Sequence, residues 1–494
     1  MPDLNDYDKV HDLKGNFMMS SFIDSHSHFI SLAFSFLQVN LEGCTSYGDI
    51  AERINDFKSE NEIRQGEWIT AKGYDHNSLI EKKHPRKHDL DAMSASNPLV
   101  IHHQSGHMGT FNSSALEKLG IFNDHSCPPG GKMETINGEL TGYMEENAFI
   151  ENIKKVPMPE ATQIQKGVIR ARDMYNKYGI TVVQEGMMVK TLAPIYDLIY
   201  EIPDLGLNII FYSSLEDLDY FMYDYEPKSI PDGSVIKFGG LKLFLDGSPQ
   251  GRTAWTREPY IKVDEKDDPE YCGFGTMKDE DLEHALRIAD DREIQVLIHC
   301  NGDRALEQLL NAAQKLKNEG RDISRLRPVI IHAQLIGTDQ LDRVKELGFL
   351  ISYFAAHVYH WGDIHIKNLG KERASRISPL NSTLSKNILF TMHQDSPVIK
   401  PDMAETLQVA MQRKTRTGLS IGSDEAIKLE DAIRALTCNC AYQYFEEDIR
   451  GSIGKGKKAD FVIIEEDPFI CRADRISTVK IIGLIKDGNF KALN

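Results

Sequence analysis

Two histidines stand two apart in FIDSHSHF, His26 and His28. Side chains of an extended strand alternate between faces, so residues i and i+2 share one. Two neutral imidazoles on one face can hold a divalent ion, although such a pair is equally a pair of surface or core histidines. Three other segments end an apolar run on a metal-binding residue type: IQVLIH closes on His299, PVIIH on His332 and ILFTMHQD on Asp395. If these runs are strands of one barrel, their C-terminal ends converge on a single pocket, where residues hundreds of positions apart meet. Four histidines and an aspartate suffice for zinc or a similar ion with one position left open. The chemistry that follows is hydrolysis. The ion lowers the pKa of water to about 7, and Asp395 takes the proton and passes it to the leaving nitrogen or oxygen. Such a site suits a carbonyl or amidine-like carbon and needs no organic cofactor.

Lys242, between Leu241 and Leu243 in GLKLFLDG, points inward if that segment is a barrel strand. It reads either as a snorkelling or salt-bridged lysine or as a lysine carboxylated by carbon dioxide whose carbamate bridges two ions. Asp246 reads as a further ligand or as the start of the turn Asp246-Gly247-Ser248. Other motifs carry less. HVYHW at 357–361 lacks the HExxH spacing of a zinc protease, and GSIGKGKKAD precedes a strand rather than a helix, so it lacks the geometry of a phosphate loop. Cys438 and Cys440 sit i and i+2 in an expected helix, do not share its face, and read as packing residues.

The elements that must position these residues follow from the apolar pattern. Short runs at 22–24, 180–184, 207–212, 235–245, 294–300, 328–333, 349–355 and 388–395 alternate with amphipathic stretches such as 278–292, 303–318 and 338–347. Strands alternating with helices mean βα units and a parallel sheet. Eight units predict a (β/α)8 TIM-like barrel over about 21–440; periodicity does not see closure, so a doubly wound open sheet is the alternative. Residues 98–150, with PLVIHH and the Gly/Pro-rich CPPGGKMETINGELTG, break the rhythm and read as an insertion or long loop. The segments ADFVII and VKIIGLIKDG predict strands of a small β domain within 441–494, joined by an N-terminal strand within 1–20.

The chain has 494 residues, 41% apolar and 27% charged, which supports a large barrel plus a smaller unit without disulfides. A net charge of −17 repels phosphate backbones and anionic membranes, so nucleic acid and membrane partners are not expected, while a small-molecule substrate is. Seven scattered cysteines without a CxxC pair point to a reducing compartment. The polar N-terminus shows no signal-peptide core and no run is long enough to span a bilayer, so the expected location is cytoplasmic. A homodimer is compatible with this composition.

The set FIDSHSHF, GITVVQEG, LIHCNGDRA, IIHAQL, HQDSPV and GSIGKGKKADFVII resembles, in strand order, the amidohydrolase superfamily. The segments SGHMGTFNSSALEKLGI, GELTGYMEENA and LKLFLDGSPQGRTAWTREPY are similar to its amidohydrolase-3 group, whose members include N-substituted formamide deformylases. The resemblance runs from about residue 9 to 485. It implies a metal pair at His26 and His28, fifth- and sixth-strand ligands at His299 and His332, and an eighth-strand aspartate at Asp395. It makes Lys242 the candidate for a bridging position between two zinc ions. It also implies substrate-facing roles for His107, Arg252 and His357. Read without it, His107 caps its loop, Arg252 pairs with an acid and His357 is solvated. Several departures stand out: Ser20-Ser21 replaces the usual Pro-Gly, Cys300-Asn301 follows the fifth-strand histidine, and Ile331 replaces a common acidic residue. Only about 20 residues precede the His-x-His strand, so the expected β domain is either reduced to its C-terminal part plus one strand, or the reading frame begins late.

Together these readings predict a metal-dependent hydrolase cleaving a non-peptide C–N bond in an amide or N-substituted formamide. The alternatives are a cyclic amidase or deaminase with the same ligands, and a catalytically degenerate binding barrel.

Overall fold

The computed structural model describes residues 10–226, 233–262 and 268–493; positions 1–9 of the expected N-terminal piece lie outside them. All eight apolar runs become strands of one parallel sheet. In order they are Phe22–Ile23, Ile180–Met188, Asn208–Ser213, Ile236–Phe244, Gln295–Cys300, Val329–His332, Leu350–Tyr353 and Phe390–Met392. Each is hydrogen-bonded to the next in sequence. Most are buried along nearly their whole length, as expected for strands covered on both faces. Ser25 Oγ donates to Met392 O at 3.0 Å and the His28 amide donates to Ser396 O at 2.8 Å, which sets the first strand edge to edge with the eighth. The fold is a (β/α)8 barrel with a small antiparallel sheet built from the chain ends.

The crossover helices show why their sequences fold as they do. Asp279–Asp291 carries Asp279, Glu280 and Asp281 in its first turn, where the helix dipole favours negative charge, and buries Leu282, Ala285, Leu286 and Ala289 at helical spacing. Asp303–Asn318 begins on Asp303, ends on Lys315 and Lys317, and buries Leu306, Leu309, Leu310, Ala313 and Leu316. The barrel floor is filled by Ile23, Val182, Ile210, Leu297, Val329 and Ile331, together with Cys440, Ala441 and Tyr444. Cys440 is thus a packing residue. The end sheet pairs Phe17–Ser20, Phe461–Ile464, Ile481–Lys486 and Asn489–Ala492 in that order. Its last hairpin turns on Asp487-Gly488, both at positive φ, as a two-residue loop requires.

The chain divides into two compact units, Met1–Ser31 with Ala171–Asn494, and Leu32–Arg170. The segment 98–150 lies inside the second, which has its own six-stranded sheet. Three of its strands, Val39–Asn40, Ile69–Tyr74 and Leu99–His103, run parallel with helices between them. Their local pattern is that of barrel units, so periodicity could not mark where the unit begins. No helix among the described residues is long and apolar enough to cross a membrane.

Candidate metal centre

Six expected residues come together at the C-terminal ends of the barrel strands. Asp395 Oδ1 lies 3.6 Å from His26 Nε2 and 3.5 Å from His28 Nε2, and Oδ2 lies 4.0 Å from His332 Nε2. His332 Nε2 lies 3.1 Å from His299 Nδ1, and Lys242 Nζ lies 3.3 Å from His26 Nε2. Lys242 is 2% exposed, which removes the snorkelling reading: its ammonium end is buried with its stem.

Hydrogen bonds on the far side of each ring settle which nitrogens face inward. His26 Nδ1 donates to Gln184 Oε1 at 2.5 Å, and Gln184 is fixed by donating to Ser25 O and the Tyr444 hydroxyl. His299 Nε2 donates to Gly247 O at 3.2 Å, beside Asn301, whose amide donates to the same carbonyl at 2.8 Å. For His332 the chain is longer. Ser25 Oγ donates to Met392 O, Ser352 Oγ to Ser25 Oγ, His393 Nδ1 to Ser352 Oγ and His332 Nδ1 to His393 Nε2, at 3.0, 2.9, 2.8 and 3.0 Å. His26 Nε2, His299 Nδ1 and His332 Nε2 are therefore left with lone pairs aimed into the same space. Asp395 Oδ1, buried there, has no hydrogen-bond partner among the described residues. Acceptors crowded together favour a cation between them, a place the Lys242 ammonium fills only at His26 Nε2, 3.3 Å away, so the set fits a divalent ion.

The electrostatics agree. Burial, helped by the Lys242 charge, holds His26 well below the ordinary histidine range and lowers His299 to about 3. Burial, then the neighbouring histidines, does the same to His332, and His393 is likewise depressed. Burial pulls His28 down too, but Glu185 and Asp395 outweigh it and leave that ring raised. Burial raises Asp395, against the pull of His28 and Lys242, and lowers Lys242 to about 7.

The backbone at the site is strained. His332, Ala333 and Asp395 take positive φ, a costly state for residues other than glycine that persists where the surroundings enforce it. Gly186 is required for space: a Cβ there would stand 2.8 Å from Cε1 of both His26 and His28.

The remaining expected residues have partners of their own. Asp246 works as a clamp, accepting the amides of Asn301, Gly302 and Trp255 at 2.9, 2.7 and 3.0 Å, with its carboxyl pushed up to about 7 by burial. His107 belongs to the Leu32–Arg170 unit, where it is exposed and lies 3.1 Å from Glu146. Arg252, at positive φ, has its guanidinium 5.8 and 5.9 Å from the rings of Tyr260 and Tyr271. His357 is not solvated. It is buried, with Nδ1 2.7 Å from His365 Nε2, because the helix His357–Ser375 turns both rings to one side. Gln184, Gly186 and His393 are absent from the sequence-based set. His393 carried a signal, since it stands two before Asp395 just as His26 stands two before His28.

A parallel barrel with such a cluster at its strand ends defines a class of metal-dependent barrel hydrolases. The chain belongs to the amidohydrolase family: the family described as "Amidohydrolase family" (Amidohydro_3) matches residues 9–491. The chain is 28% identical over 489 residues to the "Putative amidohydrolase YtcJ" of Bacillus subtilis (strain 168), covering 96% of this chain and 89% of that one. It is 24% identical to the "N-substituted formamide deformylase" of Arthrobacter pascens, covering 97% and 89%. Among solved structures, an uncharacterized metal-dependent hydrolase from Pyrococcus horikoshii OT3 matches with a TM-score of 0.76 and 25% identity, over 94% of this chain and 89% of that one.

Proposed function

We propose that the chain is a zinc-type hydrolase of a non-peptide C–N bond, acting on an amide or an N-substituted formamide. His26, His28, His299, His332 and Asp395 would hold one or two divalent ions, with Lys242 as the bridging position. The observation that carries this reading is the gathering of His26, His28 and His332 around Asp395, with His299 against His332, while Asp395 Oδ1 has no hydrogen-bond partner among the described residues. When bound, the ion supplies Lewis acidity, lowering the pKa of water to about 7 and polarising an acyl oxygen.

The rest is done by side chains. Asp395 faces His26 and His28 and stands where it can orient a water and take its proton as the oxygen adds to the acyl carbon. The C–N bond then breaks with its electron pair on nitrogen, which takes that proton from Asp395, releasing an amine and a carboxylic acid. Burial raises Asp395, so its carboxylate accepts the proton of a water more readily than it would in solvent, the role of a general base. The relation to a deformylase supports the formamide class, and the seven unpaired cysteines support a reducing, cytoplasmic setting.

The test is metal analysis of the purified protein followed by hydrolysis of N-formyl and N-acyl amines with and without chelator. About one to two equivalents of a zinc-like ion are expected, with loss of turnover on chelation. Asp395→Asn should cut kcat by at least about a hundredfold. Full activity in metal-free protein, or unimpaired turnover in that variant, overturns the reading.

A further inference from the structure

The Leu32–Arg170 unit holds a second gathering of donors that the hydrolytic reading leaves unused. Its strands Ile69–Tyr74 and Leu99–His103 run parallel, and their register sets Tyr74 beside His103. Asp75 and His76, which follow the first strand, therefore meet His103, which ends the second. His76 Nδ1 lies 3.3 Å from His103 Nε2. Asp75 Oδ1 lies 3.7 Å from His103 Nε2 and 3.8 Å from His76 Nδ1.

The two imidazoles are within hydrogen-bond distance of each other, while the aspartate's contacts are longer than a hydrogen bond to an imidazole. An aspartate hydrogen-bonded to an imidazole would approach to about 2.7–2.9 Å, and neither of its contacts does. A tetrahedral ion with bonds of about 2.0–2.2 Å holds its donors roughly 3.3–3.6 Å apart, close to the observed triangle. Three corners of such a polyhedron are present and the fourth is free for water or a small ligand. The supports around the three donors are also those of a metal site. Asp75 is fixed by the Asn77 amide on Oδ1 at 2.9 Å and by the Ser78 hydroxyl on Oδ2 at 3.2 Å. The Ser105 amide donates to His103 Nδ1 at 3.1 Å, so ligation through Nε2 needs the ring proton to move to Nδ1, where Ser105 Oγ at 2.9 Å can accept it. His84 packs on His76, ring centroids 4.0 Å apart, and is itself placed by the Tyr74 hydroxyl 3.0 Å from its Nδ1. Side-chain exposures of 23% for Asp75, 29% for His76 and 8% for His103 leave the site reachable from solvent.

We propose that Asp75, His76 and His103 form a second divalent-metal site, separate in its residues from the barrel cluster. Two imidazoles and one carboxylate select a zinc-class transition ion over calcium or magnesium, which take mainly oxygen donors. The inference does not depend on the hydrolytic reading, since no residue is shared.

The experiment uses the full chain, stripped with chelator, reloaded with excess cobalt(II) and passed through a desalting column. Bound cobalt is counted by elemental analysis and its visible absorption recorded. His76→Ala, a partly exposed position, should hold about one equivalent less than the parent chain and lose part of the absorption. Asp75→Asn, which keeps the side chain's shape, should weaken the same equivalent by at least about tenfold. Circular dichroism confirms that both variants are folded; if one fails to fold, the other decides. Cobalt content and spectrum equal to the parent in a folded variant overturn the site.

Discussion

Lys242 shows how one enclosed residue changes its chemistry. A lysine in water is almost wholly charged at neutral pH, but burial lowers this one to about 7, against the opposing pull of Asp395. Roughly half of the amines are then uncharged at pH 7 and able to attack carbon dioxide. In that reaction a nitrogen–carbon bond would form, the amine proton would leave, and a carboxylate would take the place of a cation beside His26 Nε2, 3.3 Å away. The zinc content of the metal-stripped chain should therefore rise about twofold when it is reloaded with bicarbonate present. Lys242→Met should show no such rise, and an equal gain in the variant sinks the carbamate. Lys242 was visible in the sequence only as a polar interruption of an apolar strand, and its meaning depended on burial that no pattern reports. Gln184 was less visible still. A glutamine in ITVVQEG looks like any strand polar residue until the fold sets its amide against His26 Nδ1 and the Tyr444 hydroxyl, 260 positions away.

At the scale of elements, the barrel strands were readable because each is buried on both faces and must be apolar throughout, so a histidine or aspartate at the end is conspicuous. The inserted unit was not, since its parallel strands and helices repeat the pattern of the barrel's own. Neither was the contribution of the second barrel strand, Ile180–Met188, which bears none of the expected donors yet packs against the first strand's histidines. Its Gly186 leaves room for both rings. In Gly186→Ala the added methyl, 2.8 Å from Cε1 of His26 and His28, must displace one of them or shift the strand. Overpacking of this kind costs about 1–3 kcal/mol, and here it falls on ring positions. Zinc affinity, read by competition with a chromophoric chelator, should fall at least about tenfold while far-UV circular dichroism is retained. Unchanged affinity in the folded variant would show that the close approach does not position the rings.

At the scale of the whole molecule, the price of gathering neutral imidazoles is carried by the fold and depends on pH. His299 is lowered to about 3 from the ordinary 6.5, by burial first and the Lys242 charge second, and His26, His332 and His393 are depressed in the same direction. An unfolded chain takes protons on these rings near pH 6.5, whereas the folded metal-free chain takes them only far below. Across that interval the unfolded state binds more protons, so stability falls as pH falls. Asp395 works in the opposite sense, because its folded pKa is raised: its carboxyl favours the folded state below the ordinary carboxylate range and that contribution fades as pH rises through the folded value. Asp24 and Asp246, each pushed up to about 7 by burial, act in the same sense as Asp395. Buried His357 and His365 join the four depressed imidazoles and leave the histidines the larger share between about pH 6.5 and pH 5. A bound ion adds stability by mass action and competes with protons for the same nitrogens, so its benefit should shrink over the same interval. Thermal melts at about pH 7.5, 6.5 and 5.5 with and without zinc separate the two effects. The metal-free midpoint should decline with acidification, and the gap to the zinc-loaded form should narrow with it. Acid denaturation of the rest of the chain lowers both curves alike and leaves the gap unchanged. A gap that stays constant down to about pH 5.5 would mean that the ion, wherever it binds, is not held by these histidines.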